Sequence, residues 1–432
     1  MKILILGLNF APELIGVGKY TGELAAWFGK QGHEVKVVTS PPYYPAWKIG
    51  EGYRSYLYRR EQRDGIDILR CPLWVPNHPT TLKRIIHLVS FAASSALPSL
   101  WHGLFWRPDI VWTVEPTSFT APTAWLAARS GDATACLHIQ DLEVEAAIGL
   151  RMLSKSWVIR ASSLLYGWLL RRFDHVSTIS EQMREQLPSY NVSRKRCSMF
   201  PNWVNIEAIQ PLEKPSSFRE ELGLPEDKIV ALYSGNMGSK QGVESLGHLA
   251  RTLVDLPNLH FVFAGDGSLR ADVEAMTAGL ANVTMLPLQP NERFNDLLNL
   301  ADIHLLPQRQ STVSFSLPSK FGGMMASGRP AVVQADQGEL ATVAAKCGIV
   351  VPSGDASAMA SAVRRLATNA DERRHLGKMA RRYADLHLSR DAVLSRHEQQ
   401  LFEAIARRAR RRPRWQRFLA TIIPSYTLPP RR

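Results

Sequence analysis

The sequence predicts an α/β protein made of two doubly wound parallel sheets in tandem, and three observations carry this. Short runs rich in Ile and Val alternate with longer segments of helical period along the chain. The alternation occurs twice, on either side of a Pro-flanked polar stretch over 205–215. The 432 residues, 45% apolar and 21% charged, are enough for two large cores and too hydrophobic for disorder.

Strands of the first sheet are expected over 2–8, 34–39, 109–114, 134–139 and 175–179, with helices between them. Those of the second are expected over 228–234, 259–265, 283–286, 302–307, 330–333 and 348–351. Past the linker a helix starts at Ser217, where Glu220 three residues on completes a capping box. One or two helices follow over 385–412. Domains are therefore expected at 1–205 and 206–388, with a terminal helix over 389–412 packing back on the first domain and a basic tail over 413–432. Internal repeats are absent, and the Arg-rich tail is the one compositionally biased segment.

Composition removes several function classes. Cys71, Cys136, Cys197 and Cys347 are scattered without metal-like spacing, which argues against a zinc site and a disulfide scaffold. The opening MKILILGL begins a core strand at once and lacks the series of basic, apolar and cleavage regions of an export signal, so a cytoplasmic chain is expected. Of the net charge of +13, most comes from 407–432, where nine Arg and no acid occur. Trp415, Phe418, Leu419, Ile422 and Ile423 interleave with these cations, which suits an anionic membrane surface at about 1 kcal/mol per basic residue. RNA is the rival partner for such a tail, but no nucleic-acid module accompanies it. Residues 85–106 are 22 in a row without a formal charge, long enough to span a bilayer. Against a span stand His87, Pro98, His102 and four Ser, and its place between strands of one sheet. Two readings remain: an amphipathic helix that touches lipid, its apolar face flanked by Lys83, Arg84 and Arg107, or a helix packed on the sheet.

Four strand ends carry candidate chemistry. After the first strand, Gly16 and Gly18 precede a helical segment, where backbone N–H groups and the helix dipole can approach a diphosphate or sugar; a strand-to-helix turn also needs glycine on steric grounds alone. HIQD at 138–141 falls at the C-terminal end of a strand, where open parallel sheets bind ligands. There Asp141, Glu143 or Glu145 could serve as acid, base or sugar-hydroxyl acceptor with His138 as donor, and a hydrogen-bonded structural His is the alternative. SGNMG at 234–238 with Lys240 is a Gly-rich turn opening a helix beside an ammonium, suited to holding the diphosphate of a leaving nucleotide without a metal ion. AGDGS at 264–268 makes a further turn, and in LPSK at 317–320 Ser319 is expected to cap a helix whose N-terminus, with Lys320, could hold a second phosphate or the ribose.

Together these motifs resemble the family-4 retaining glycosyltransferases of the GT-B fold, in the branch of the colanic acid exopolysaccharide enzymes. The resemblance spans about residues 1–400 and rests on PELIGVGKYT (12–21), TSPPYYP (39–45), HIQD (138–141), PN (201–202), SGNMG (234–238) with Lys240, and PSK (318–320). It implies two Rossmann-like domains facing a central cleft, with Gly16, Gly18 and Lys19 on the acceptor side and Gly235, Asn236, Gly238, Lys240, Gly265, Asp266, Ser319 and Lys320 around the donor. His138, Asp141 and Lys240 would stand at the chemistry. It further implies a nucleotide-sugar donor, a polyprenyl-diphosphate-linked saccharide acceptor at the inner face of the plasma membrane, no metal, no cofactor, no nucleic acid, and retention at the anomeric carbon. GDP-fucose is the donor the branch points to. A nucleotide-sugar 2-epimerase of the same fold and a non-catalytic sugar-nucleotide scaffold are the alternatives.

The chain departs from the wider family at two places. Asn236 stands where an Arg is usual in the phosphate turn, and Phe315 and Gly323 stand where a pair of Glu is usual. Lys240 and Lys320 would then carry most of the phosphate charge, and PSK is the form of this branch.

Overall fold

A computed structural model of the chain describes residues 1–13, 16–78, 80–115, 118–141, 156–238, 241–309 and 317–411. They form two units, one of Met1–Phe200 together with the chain from Leu394 on, the other of Pro201–Val393.

The first unit contains β1 (Lys2–Leu6), α1 (Gly16–Lys30), β2 (Glu34–Thr39), β3 (Arg59–Arg63), β4 (Ile66–Arg70), α2 (Thr81–Trp101) continued by a π-helical turn at His102–Trp106, and β5 (Ile110–Glu115). There follow α3 (Ala121–Ser130), β6 (Thr134–Ile139), α4 (Ser156–Leu170), β7 (His175–Thr178), α5 (Glu181–Gln186) and β8 (Cys197–Met199). Its sheet runs β3-β4-β2-β1-β5-β6-β7-β8, parallel except where β3 meets β4. Helices cover both faces, which is why β1 and β6 read as continuous apolar runs and are buried almost throughout. Strand order reverses at β1, which pairs β2 on one side and β5 on the other, so the loop leaving β1 opens at a topological switch point.

The second unit contains α6 (Ser217–Glu221), β9 (Ile229–Ser234), α7 (Glu244–Thr252), β10 (Leu259–Ala264), α8 (Arg270–Thr277), β11 (Val283–Leu286), α9 (Phe294–Leu300) and β12 (Ile303–Leu306). It continues through α10 (Ser319–Ala326), β13 (Ala331–Gln334), α11 (Glu339–Ala344), β14 (Gly348–Val351), α12 (Ala356–Thr368) and α13 (Ala370–Tyr383). All strands of its sheet are parallel, in the order β11-β10-β9-β12-β13-β14. Tyr233, Phe261 and Phe263 pack there against Leu246 and Leu249 of α7. The switch point lies between β9 and β12.

The last described helix is α14 (Arg390–Arg411). From Leu394 on it packs on the first sheet: Trp112 Nε1 donates to His397 Nε2 at 3.2 Å, His397 stacks on Phe200 at 3.6 Å, and Arg408 reaches both Asp132 and Asp174 at 2.9 Å. Two of the arginines counted with the basic tail, Arg407 and Arg408, are therefore bound to His175 and to these carboxylates. The remainder of that tail, 412–432, lies outside the described residues.

Three strands lie outside the expected set. β3 reads Arg-Arg-Glu-Gln-Arg and has no apolar residue to show, because it is an edge strand whose charge guards the sheet margin. Its partner β4 alternates buried and half-buried residues, but over only five positions with Asp67 and Arg70 among them, and the edge strand β8 is three residues long. The capping box at Ser217 is corrected by one residue: Ser216 is the N-cap, accepting from Phe218 N at 3.2 Å, and the Ser217 hydroxyl turns instead to Asp296 and Glu221. Among the described residues no helix is long and apolar enough to cross a membrane.

Candidate active site

In the second unit the switch point brings together three segments far apart in sequence: the turn after β9, the turn after β10, and the start of α10. Gly235 leaves β9 with φ of 131° and its N–H donates to Ala264 O at 2.9 Å. Gly265 lies so close that a Cβ built on it would fall 1.9 Å from Gly235 O, at a φ of 148° that side chains avoid. Glycine is therefore required at 265 for two independent reasons. Met237 N donates to Asp266 O at 2.8 Å, which ties the second turn to the first, while the Asn236 and Asp266 side chains stay exposed. Asn236 also lies beside Gly238 and Gly267.

Lys320, on the first turn of α10, reaches this pair of turns. A Cβ on Gly235 would stand 3.6 Å from Lys320 Cδ and 3.9 Å from Nζ. The ammonium lies 4.5 Å from the centroid of the Tyr233 ring and donates to Tyr233 Oη at 3.4 Å. That hydroxyl in turn donates to Asn236 O at 2.6 Å. Desolvation by burial lowers Lys320 to about 8. A cation held partly out of water, with one long hydrogen bond among the described residues, is a ready partner for an anion, and α10 adds the positive end of its dipole. Ser319 does not cap this helix: it is already helical, the N-cap is Pro318, no side-chain cap bond forms among the described residues, and Phe321 N donates back to Pro318 O at 2.9 Å. Lys240, Glu143, Glu145 and Phe315 lie outside the described residues.

The first unit builds its strand-end loop around a buried carboxylate instead. Glu13, in the loop leaving β1, accepts from Asn9 Nδ2 at 2.9 Å and from the N–H groups of Tyr43 and Tyr44 at 3.0 Å each. Burial raises its pKa, and these hydrogen bonds and Arg70 oppose the rise. Arg70 is itself fully buried and donates to Ala11 O, Ser40 O and Glu61 Oε1, so it ties the same two loops to β3. Gly18 is buried against Glu13, where a Cβ would meet Oε2 at 2.5 Å, whereas Gly16 and Lys19 are exposed. Neither Glu13 nor Arg70 stands out in the sequence, since their partners lie about 30 and 60 residues away, outside any local window; the one signal is an acid set in an apolar, Gly-rich turn.

His138 and Asp141 part company. The His138 ring is buried between Trp112 and Phe200, with Nδ1 at 3.0 Å from Ser177 Oγ and Nε2 at 3.0 Å from Gln140 Nε2. Desolvation drives it down to about 3, so it is neutral and both ring nitrogens are engaged. This arrangement supports the structural alternative for His138. Asp141 is exposed just past the C-terminal end of β6. All four cysteines are free, and among the described residues no group of three His, Cys, Asp or Glu is placed to hold a metal.

Comparison with known proteins agrees with this division of the chain. Residues 16–203 match the glycosyl transferase 4-like domain, and residues 216–383 match glycosyl transferases group 1. WcaI of Escherichia coli strain K12, whose name places it in colanic acid biosynthesis as a glycosyl transferase, is 38% identical over 91% of this chain and 98% of its own. In fold, sucrose-phosphate synthase of Thermosynechococcus elongatus superposes with a TM-score of 0.72 at 16% identity, covering 94% of this chain and 99% of that one. HepE of Anabaena, solved with UDP and glucose, superposes with a TM-score of 0.65 at 13% identity over 93% of this chain and all of its own. With two Rossmann-like parallel-sheet domains, the two family models in series and this relative across nearly its whole length, the chain belongs to the GT-B glycosyltransferases, as an enzyme with a 4-like N-terminal and a group 1 C-terminal domain.

Proposed function

We propose that the enzyme transfers a sugar from a nucleotide-sugar to a polyprenyl-diphosphate-linked saccharide in exopolysaccharide biosynthesis, with retention at the anomeric carbon and no metal ion. The observation that carries this reading is the Lys320 ammonium set over Tyr233 beside the Gly235 and Gly265 turns at a sheet switch point. As the bond between the anomeric carbon and the diphosphate breaks, negative charge grows on the departing oxygen. Lys320 and the α10 N-terminus neutralise that charge, with Lys240 as a second ammonium. The same diphosphate oxygen takes the proton of the incoming hydroxyl on the same face, which gives retention. Asp141 is the carboxylate suited to accept from a sugar hydroxyl, and Gly16 and Lys19 face the acceptor. Kinship with WcaI supports the polysaccharide pathway, and GDP-fucose is the first donor to try.

The test offers purified protein a panel of labelled nucleotide-sugars with a polyprenyl-diphosphate-linked acceptor and follows label into the lipid phase. Transfer from one donor, lost in Lys320→Ala and unchanged by chelator, is the expected result. Turnover of the nucleotide-sugar that ignores the acceptor would point to epimerisation and overturn the reading.

A further inference from the structure

α2 is built inside out. Its buried positions are His87, Phe91, Ser95 and Ser99, one every four residues, while its outward stripe is Leu82, Ile85, Ile86, Val89 and Leu97. α1, by contrast, buries Tyr20, Leu24, Trp27 and Phe28 and shows solvent Lys19 and Lys30. Several polar groups of α2 are met locally: His87 Nδ1 meets Trp74 O at 2.7 Å, Ser94 Oγ donates to Pro72 O at 2.6 Å and Ser99 Oγ to Ser95 O at 2.7 Å, while His87 Nε2 is buried without a partner among the described residues. The outward groups are exposed, most of all Leu97 at 74% and Phe105 of the following π-helical turn at 66%.

The apolar surface does not end with α2. Right-handed crossovers from β4 to β5, β5 to β6 and β6 to β7 put α2, α3 and α4 on one face of the first sheet. α3 packs on α2, and Arg129 of α3 donates to Arg172 O at the end of α4. α4 repeats the pattern, with Trp157, Leu164, Leu165 and Trp168 exposed at helical spacing. Across 80–108, 118–131 and 156–173 there is no Asp or Glu, in a chain with 39 of them, while Lys83, Arg84, Arg107, Arg129, Arg160, Arg171 and Arg172 all fall there. Arg172 lies over Trp168 at 4.6 Å, a cation carried on an apolar ring.

We propose that the outer face of α2, α3 and α4 is the surface by which the enzyme docks on an anionic phospholipid bilayer. Exposed Leu, Phe and Trp would enter the headgroup boundary, and the Lys and Arg around them, of which Arg129 also pairs with Asp174, meet lipid phosphates. A protein partner of such a face would need an equally large apolar surface free of cations, whereas a bilayer supplies apolar depth and negative charge together. The inference rests on the lipid-linked-acceptor reading for its purpose, but its test needs no sugar.

Full-length protein is floated with phosphatidylglycerol-containing and with purely phosphatidylcholine vesicles, in the absence of donor and acceptor. Binding to the anionic vesicles, weakened about tenfold or more by Leu97→Glu with Leu165→Glu, is the expected result. Leu288→Glu, equally exposed on the second unit, leaves binding unchanged, and brominated lipid quenches tryptophan fluorescence of the unmodified protein. The proposal fails if the unmodified protein does not float, or if the paired variant floats as well as the unmodified protein. It also fails if a chain ending at Arg411 loses all binding while the paired variant keeps it. A lipid-free dimer that the paired variant splits would assign the face to a second copy instead. Loss of transfer with intact vesicle binding would count against the enzymatic reading alone.

Discussion

The loop after β1 in the first unit and the loop after β9 in the second occupy the same place in the same kind of sheet, yet they handle a buried charge in opposite ways. Glu13 has its carboxylate oxygens met by Asn9, Tyr43 and Tyr44. Among the described residues Lys320 has one hydrogen bond, 3.4 Å long, to a tyrosine hydroxyl and otherwise a ring face. Burial works against the ionised form in both, raising one pKa and lowering the other. The difference is in who completes the shell. A charge satisfied by its own protein fixes shape, and a charge left short of partners is kept for a ligand.

Lys320→Ala is the strongest way to break this comparison. It removes the ammonium from the leaving diphosphate and should cost about 100- to 1,000-fold in kcat/KM for the donor, while the melting temperature stays level or rises. Loss of folding with retained specific activity would reverse the roles assigned to the two charges. Glu13→Gln comes next. Its Oε1 can keep the Tyr43 and Tyr44 N–H groups while its amide nitrogen meets Asn9 Nδ2, a second donor, so the first unit should lose about 1 kcal/mol by denaturant titration, and KM for the acceptor should rise with that for the donor unmoved.

A pH series sharpens the contrast. With Lys320 at about 8, donor binding needs its proton, so donor KM should be flat below that pH and climb about tenfold per unit above it. Lys320→Arg should flatten the climb, because guanidinium stays charged. The smallest effect belongs to Tyr233→Phe, which keeps the ring under Lys320 but removes the hydroxyl between Nζ and Asn236 O. A loss of about fivefold in donor affinity, measured by calorimetry, is expected for that one link.

All six strands of the second sheet could be read from their apolar runs within one or two residues, because a parallel strand covered on both faces has no polar side to interrupt it. The edge strands β3 and β8 could not, since one is polar throughout and the other is three residues long. Gly235, Gly265 and Lys320 were visible as turn and helix-start residues. Tyr233, which positions the ammonium, reads in sequence only as a strand residue. His138 drew notice as a strand-end histidine, and packing between Trp112 and Phe200 accounts for it.

From its sequence alone the chain fixes the covered strands and helices of its two sheets and the glycines that bend the chain at strand ends, because these depend on local periodicity and backbone sterics, whereas β3, β4 and β8 do not show there. Tertiary structure decided which strand ends meet. Lys320 and Tyr233 are 87 residues apart, Arg70 and Ala11 are 59 apart, and the outward turn of the apolar side of α2 is set by what packs beneath it. Contact across such separations is a property of strand order, and a charge acquires its role only when its neighbours either complete its hydrogen bonds or leave them open.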